Sequence, residues 1–377
     1  MKIAPDWLND PAAQKVCAML TSAGHQAWFV GGCVRNALIG APASDLDLTT
    51  DARPQTVSDL GKAAGFKVVP TGIDHGTVTV VVDGAPFEVT TFRRDVDTDG
   101  RHATVAFADT PEEDARRRDF TMNALYAAPD GTLLDPLGGI PDALAGHIRF
   151  IGDAGQRIRE DYLRILRFFR FFAWYGDPAL GIDADGLAAC ADHVDGIDAL
   201  SAERIGQEMR KLLSAPDPAR AIASMAASGA LLRVLPGAGP DALTVLIHIE
   251  EEARSEPDFI RRLAALGGDL ARLRLTNAEM SRHAILRDMD PGTGEVAYRH
   301  GAAIAIDRAM VLAASLSQPI SAADLAAARL GDGQVLPVKA ADFMPRLQGP
   351  ALGAALKQAE ARWIASGFTL TRDELLR

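Results

Sequence analysis

The chain has 377 residues, 48% of them hydrophobic and 24% charged, which is enough for a sizeable core and for more than one domain and excludes wholesale disorder. No charge-free run of apolar residues is long enough to span a membrane as a helix. The net charge of −11 speaks against a uniformly basic nucleic-acid binder, although six arginines crowd between Arg149 and Arg170 against three acids. The three cysteines, Cys17, Cys33 and Cys190, lie far apart with no zinc-type spacing. Together with an N-terminus that lacks the apolar run of a signal peptide, they lead us to expect a cytoplasmic protein.

In chain order, a helix is expected at about 10 to 24, followed by a short apolar strand, AWFV, and a glycine turn at Gly31-Gly32. The next helix, VRNALIG, is closed by Gly40. The strand DLDLTT follows; alternation puts Leu46 and Leu48 on one face and Asp45 and Asp47 on the other. Further strands read as FKVVPTG, GTVTVVVDG and PFEVTTFR, with a hairpin about Asp83-Gly84 and a second about Pro129-Asp130-Gly131. Segment 93 to 118 is charged and weakly periodic, and reads as a mobile or ligand-ordered loop. After DPLGG, at 135 to 139, the strand signals vanish and apolar residues recur at helical spacing. The fold class is therefore α+β: a sheet domain followed by an all-helical region.

Two carboxylates as close as Asp45 and Asp47 repel each other, and a divalent cation removes that conflict. Mg²⁺ accepts a few carboxylate oxygens and completes its shell with substrate phosphates and water. Gly31 and Gly32, at the start of a helix, offer backbone amides as a phosphate cradle, with Arg35 on the first turn to pair with phosphate oxygens. Glu88 falls on the face opposite Phe87, where it joins the metal site or positions an attacking hydroxyl if its strand lies beside DLDL; the alternative is a solvated glutamate.

The ordered motifs GGCVRNALIG–DLDL, FEVTTFR, RRRDFTMNAL, DPLGG and REDYLRILRFFRF resemble the class II tRNA nucleotidyltransferase and bacterial poly(A) polymerase family. That family lies within the polymerase β-like nucleotidyltransferase superfamily. The likeness covers about residues 27 to 175, with a fainter match at ERIGQEMRKLL. It implies a catalytic head at 1–137, a helical neck carrying nucleobase recognition at 138–225, and a helical tail at 226–377 as a tRNA-binding region.

By the same resemblance, Arg118, Asp119 and Asn123 face the nucleotide ribose, and Arg167 belongs to the nucleotide-binding helix. Asp161 and Arg164, three apart on a helix, would read the base. A carboxylate accepting from an amino group beside a guanidinium donating to a ring nitrogen fits cytosine and adenine alike. Uracil and guanine would leave both contacts mismatched.

The implied activity is Mg²⁺-dependent addition of nucleotides from CTP and ATP to the 3′ acceptor end of tRNA. The siblings are a bacterial poly(A) polymerase and a CC-only or A-only enzyme; the reading from another class is a non-catalytic RNA-binding protein. One departure stands out: Asn36 occupies the place where the family's GGxVRD usually carries aspartate. No oligomeric state follows from the sequence.

Overall fold

The structure, a computed structural model, describes residues 1–42, 45–73, 76–98, 103–344 and 346–377. The chain forms two compact units, one of residues 1–212 with 220–234 and the other of 213–219 with 235–377. Among the described residues no helix is long and apolar enough to cross a membrane.

The first unit opens with α1 (Pro11–Ser22), capped by the Asp10 carboxylate, which accepts from the amides of Ala12 and Ala13. Strand β1 (Trp28–Val30) runs into α2 (Gly32–Ile39), which Gly40 ends in a left-handed conformation. Then come β2 (Asp47–Thr50), α3 (Pro54–Ala63), β3 (Lys67–Gly72), β4 (Thr77–Val82) and β5 (Ala85–Thr91). With β8 (Tyr126–Ala127) and β9 (Leu133–Leu134) they form a seven-stranded sheet ordered β3-β4-β5-β2-β1-β8-β9. Every pairing is antiparallel except β2 with β5. Both expected hairpins form, and Asp83 and Gly84 take the positive φ that a tight β4–β5 turn requires.

Segment 93 to 118 is more regular than its composition suggests. It holds a separate hairpin, β6 (Arg93–Thr98) with β7 (Ala103–Phe107), followed by α4 (Pro111–Arg116); residues 99–102 lie outside the described residues. DPLGG is a fixed corner. The Asp135 carboxylate accepts from the amides of Gly139 and Ile140 at the start of α5 (Gly139–Ala145), and a Cβ on Gly139 would meet the Thr121 carbonyl at 2.1 Å.

The helices after α5 are α6 (Ala154–Glu160), α7 (Leu163–Tyr175), α8 (Ala184–Asp192), α9 (Ala202–Leu213), α10 (Ala219–Ala227) and α11 (Ala230–Val234). Phe168 and Phe171 of α7 pack on Phe120, and Phe150 stacks on Phe168, so α7 is fixed by an aromatic cluster next to the sheet.

The second unit is helical: α12 (Asp241–Ala253), α13 (Phe259–Leu266), α14 (Asn277–Arg287), α15 (Thr293–His300), α16 (Ala302–Ser315), α17 (Ala322–Gly331), α18 (Ala340–Phe343), α19 (Gly349–Ala365) and α20 (Arg372–Leu375). The arginines at the head of RRLAALGG turn inwards. Arg261 and Arg262 are buried and share the Glu250 carboxylate, and Arg262 also donates to the carbonyls of Leu213, Ala215 and Pro216. Asp307 accepts from Arg261 and Arg282, and Asp258 from Arg282, which completes a charge-balanced interior cluster.

Candidate active site

The parallel β2–β5 pairing sets Asp47 directly beside Glu88. Leu48 and Val89, the next residues along, are fully buried, so alternation turns both carboxylates out of the opposite face. Asp45 does not share the strand: β2 begins at Asp47, and Asp45 sits in the exposed lead-in to it. Burial, then the neighbouring Glu88 and Asp45 charges, push the Asp47 carboxyl up to about 6 against the pull of Arg118. A carboxylate crowded by like charges fits a divalent cation. No group of three or more metal-ligating side chains forms a cage among the described residues, so an ion here would draw further oxygens from phosphate and water.

Asp47, Glu88, Asp161, Arg164 and Arg167 all line one cavity of about 450 Å³. Arg118 and Asp119 also line it. Arg118 is held by Asp114, at 2.9 Å from Nη2, and by the Tyr126 hydroxyl. Burial raises the cost of the Asp114 charge, yet Arg118 and Arg117 hold its carboxyl well below the usual range. Asp119 accepts from Arg167 Nε at 2.7 Å and from Asn123 Nδ2 at 2.9 Å; against the effect of burial, these contacts hold its carboxyl at about 2.

Gly31 has φ of 75°, which favours glycine, and a Cβ there would approach Arg118 Nη1 at 3.5 Å. Its amide is spent on the Leu125 carbonyl, so it is not a free donor of a phosphate cradle. Gly32 is half-buried at the first residue of α2.

Arg35 is a correction to the sequence reading. It is 4% exposed and absent from the cavity wall. Nη1 donates to Asn123 Oδ1, Nε and Nη2 to Asn36 Oδ1, and Nη2 also to the Tyr175 hydroxyl, with the guanidinium 4.0 Å from the Tyr175 ring centre. Burial lowers its pKa, and a cation so enclosed is a link between elements rather than a phosphate ligand. Asn123 is likewise a correction: buried and off the cavity wall, it joins Arg35 to Asp119.

The helix expected through REDYLRILRFF is broken at Asp161 and Tyr162, between α6 and α7. The Asp161 carboxylate accepts from the Leu163 amide with Oδ1 at 3.1 Å and from Arg204 of α9 with Oδ2 at 2.7 Å. That local bond competes with a continuous helix and lets the acid project from the break. Arg164 donates Nη1 to Glu160 and to the Arg157 carbonyl, and Nη2 to the Arg117 carbonyl. Those bonds leave Nε–H and one Nη2–H for another partner.

The sequence reading did not assign Arg93, Arg117, Arg204, Thr77 or Thr90 to this cavity, which they also line. All but Thr77 carry a visible signal, since they sit inside quoted motifs: Thr90 and Arg93 in FEVTTFR, Arg117 in RRRDFTMNAL and Arg204 in ERIGQEMRKLL.

Residues 27–149 match the poly A polymerase head domain, and residues 180–240 match a probable RNA- and SrmB-binding site of polymerase A. The CCA-adding enzyme of Geobacillus stearothermophilus is 39% identical over 224 residues, 59% of this chain and 54% of that one. The first unit is thus similar to the head of poly(A) polymerases and tRNA nucleotidyltransferases. The human mitochondrial CCA tRNA nucleotidyltransferase 1, a further relative, is 42% identical over 190 residues, 50% of this chain and 44% of its own. The matches thus span about half the length of these relatives. The crystal structure of the Bacillus stearothermophilus CCA-adding enzyme in complex with CTP superposes with a TM-score of 0.73 at 29% identity, over 94% of this chain and 92% of that one. A Thermotoga maritima CCA-adding enzyme complexed with tRNA shares the fold, with a TM-score of 0.70 at 18% identity, over 100% of this chain and 95% of that one. Members of this family generally use divalent metal ions, and the Asp47–Glu88 face suits one.

Proposed function

We propose that this chain adds nucleotides from CTP and ATP to the 3′ end of tRNA without a nucleic-acid template. One observation carries the reading: Asp47 and Glu88 and the Asp161/Arg164 pair line the same cavity of about 450 Å³, a size suited to a single small ligand such as a nucleotide. The relatives named CCA-adding enzyme and CCA tRNA nucleotidyltransferase support the same activity.

In the reaction, the 3′-hydroxyl oxygen of the RNA forms a bond to the α-phosphorus. The bond from that phosphorus to the bridging oxygen breaks, its electron pair leaves with pyrophosphate, and the hydroxyl proton is lost to solvent. Asp45 and Asp47, with Glu88 beside them, would hold Mg²⁺. Bound there, the ion supplies activation of the attacking hydroxyl and neutralisation of phosphate charge. The protein's own residues position and neutralise. Arg118, fixed by Asp114 and Tyr126, presents a cation to the nucleotide, and Arg167 and Asp119 brace the ribose side.

Asp161 accepts from the amino group of cytosine or adenine while Arg164 donates to the ring nitrogen. The first third of the chain is the catalytic head and the helices to about 225 the neck; the helical remainder is the region that would take the tRNA body. The three buried free cysteines fit a reducing compartment such as the cytoplasm.

The test is primer extension with Mg²⁺ on tRNA transcripts ending before CCA, after C and after CC, each triphosphate offered singly and together. Addition that stops at CCA supports the reading. A long A-tail moves the chain to the poly(A) polymerases, and tRNA binding without incorporation refutes catalysis.

A further inference from the structure

Asn36 stands on the last full turn of α2, and its contacts differ from those a carboxylate there would make. Its Oδ1 accepts from Arg35 Nε at 3.1 Å and Nη2 at 2.9 Å. Its Nδ2 donates to the Pro42 carbonyl at 2.7 Å. The partners fix the amide's orientation, since a guanidinium only donates and a carbonyl only accepts. The main-chain carbonyl of the same residue accepts from the amides of Gly40 and Ala41. One residue therefore holds three consecutive positions, 40 to 42, of the segment that leads from α2 to Asp45 and β2.

Asn36 is also 7% exposed and joined to a buried chain of polar groups. Arg35 passes from Asn36 to Asn123 and to Tyr175 of α7, and Asn123 passes to Asp119 and so to Arg167. The exit of α2 as far as Pro42 and the helix carrying Arg164 are thereby tied to one interior hydrogen-bond network. An aspartate at 36 would keep the Arg35 contacts. It would also turn a lone pair towards the Pro42 carbonyl, where the asparagine has a donor.

We propose that Asn36 is a positioning residue of the metal site: its amide N–H, by fixing Pro42, sets the approach of Asp45 to Asp47. The inference rests on the metal reading of that carboxylate pair. A residue that orients ligands without touching the ion acts on metal affinity more than on nucleotide affinity.

The test compares wild type with Asn36→Asp and Asn36→Ala in the full chain. Two quantities are read: the Mg²⁺ concentration at half-maximal CTP incorporation, and the Mg²⁺ dependence of CTP binding by calorimetry without tRNA. Asn36→Asp retains the Arg35 pairing, so it is expected to melt within a few degrees of wild type. Its half-maximal Mg²⁺ is expected to rise by about tenfold in both measurements, the lower end of the 10- to 100-fold loss typical of such outer partners, while its KM for CTP at saturating Mg²⁺ moves less than about twofold. Asn36→Ala is expected to show the same Mg²⁺ shift with a lower melting temperature.

Unchanged Mg²⁺ dependence in a folded Asn36→Asp overturns the inference. So does unfolding of both variants, which would make Asn36 a purely structural residue. Wild type that neither incorporates CTP nor binds it with Mg²⁺ defeats the functional reading itself. Wild type that does both, with variants that match it, defeats the Asn36 inference alone.

Discussion

Replacing Asp161 with asparagine tests base selection more sharply than removing the side chain. Both oxygens of this carboxylate accept: Oδ1 from the Leu163 amide and Oδ2 from Arg204, the second at 2.7 Å. An asparagine has one acceptor and one donor end, and two donors already face it. Its oxygen can serve the Leu163 amide or Arg204, and its NH₂ group must then oppose the other or turn into the cavity. Side-chain exposures of 38% and 32% place the Arg204–Asp161 pair where solvent screens it, so its loss costs folding only about 0.5 kcal/mol.

Selection suffers more. A mismatched polar contact to the cytosine amino group costs roughly 1–3 kcal/mol, which is about 5- to 150-fold in kcat/KM. The same NH₂ can donate to the uracil carbonyl, so UTP loses less or gains. We expect the CTP-to-UTP ratio of kcat/KM to fall by at least about tenfold in Asp161→Asn. The assay is single-nucleotide incorporation onto tRNA ending before CCA, with melting followed in parallel. A well-folded variant whose ratio stays within twofold of wild type would refute the assignment of Asp161 as a base reader.

Three further outcomes are expected. Arg35→Met strands acceptors on Asn36, Asn123 and Tyr175, and should cost about 3 kcal/mol in denaturant unfolding while the KM for CTP stays within about threefold; a large KM rise at unchanged stability would restore Arg35 as a phosphate ligand. Asp47→Asn removes a charge whose pKa is raised to about 6, a shift that favours folding below the unfolded value near 4 and is lost as pH climbs through 6. With a chelator at pH 8 this variant should therefore be more stable than wild type by about 1 kcal/mol, discounted because the side chain is partly exposed, with the gap closing towards pH 4; lower stability at pH 8 contradicts it. Arg262→Met leaves Glu250 short of a partner and frees three carbonyls, so the second unit should lose about 3–5 kcal/mol, read by limited proteolysis and denaturation.

The elements were legible where local chemistry fixes them. Apolar alternation marked β2, β4 and β5, Gly40 marked the end of α2, and Asp83-Gly84 marked its hairpin, because each depends on residues close in sequence. Asp47 and Glu88 were legible as outward-facing acids by the same parity rule. Their juxtaposition was not, since it depends on β2 pairing in parallel with β5 across an intervening helix and two strands. The break before α7 was missed because helical periodicity runs through it and the deciding bond, Asp161 to the Leu163 amide, leaves no mark on that pattern. Segment 93 to 118 looked irregular because its charges mask the pairing of β6 with β7.

Arg35 shows why motif membership and ligand contact are separate questions. Its place on the first turn of a helix after paired glycines suggests a phosphate, and nothing in the neighbouring residues says otherwise. What decides is Tyr175, far along the chain, whose ring and hydroxyl close over the guanidinium, together with Asn123 from the short 3-10 helix Thr121–Asn123. A buried arginine with neutral partners is costly, and the fold accepts that cost only where the bonds connect elements that must keep register. Here they connect the exit of α2 through Asn36, the acid Asp119 through Asn123, and α7 through Tyr175. On our reading, Arg35 and Asn36 act on the chemistry without meeting the nucleotide, by holding the metal-binding face and the base-reading helix to a common frame.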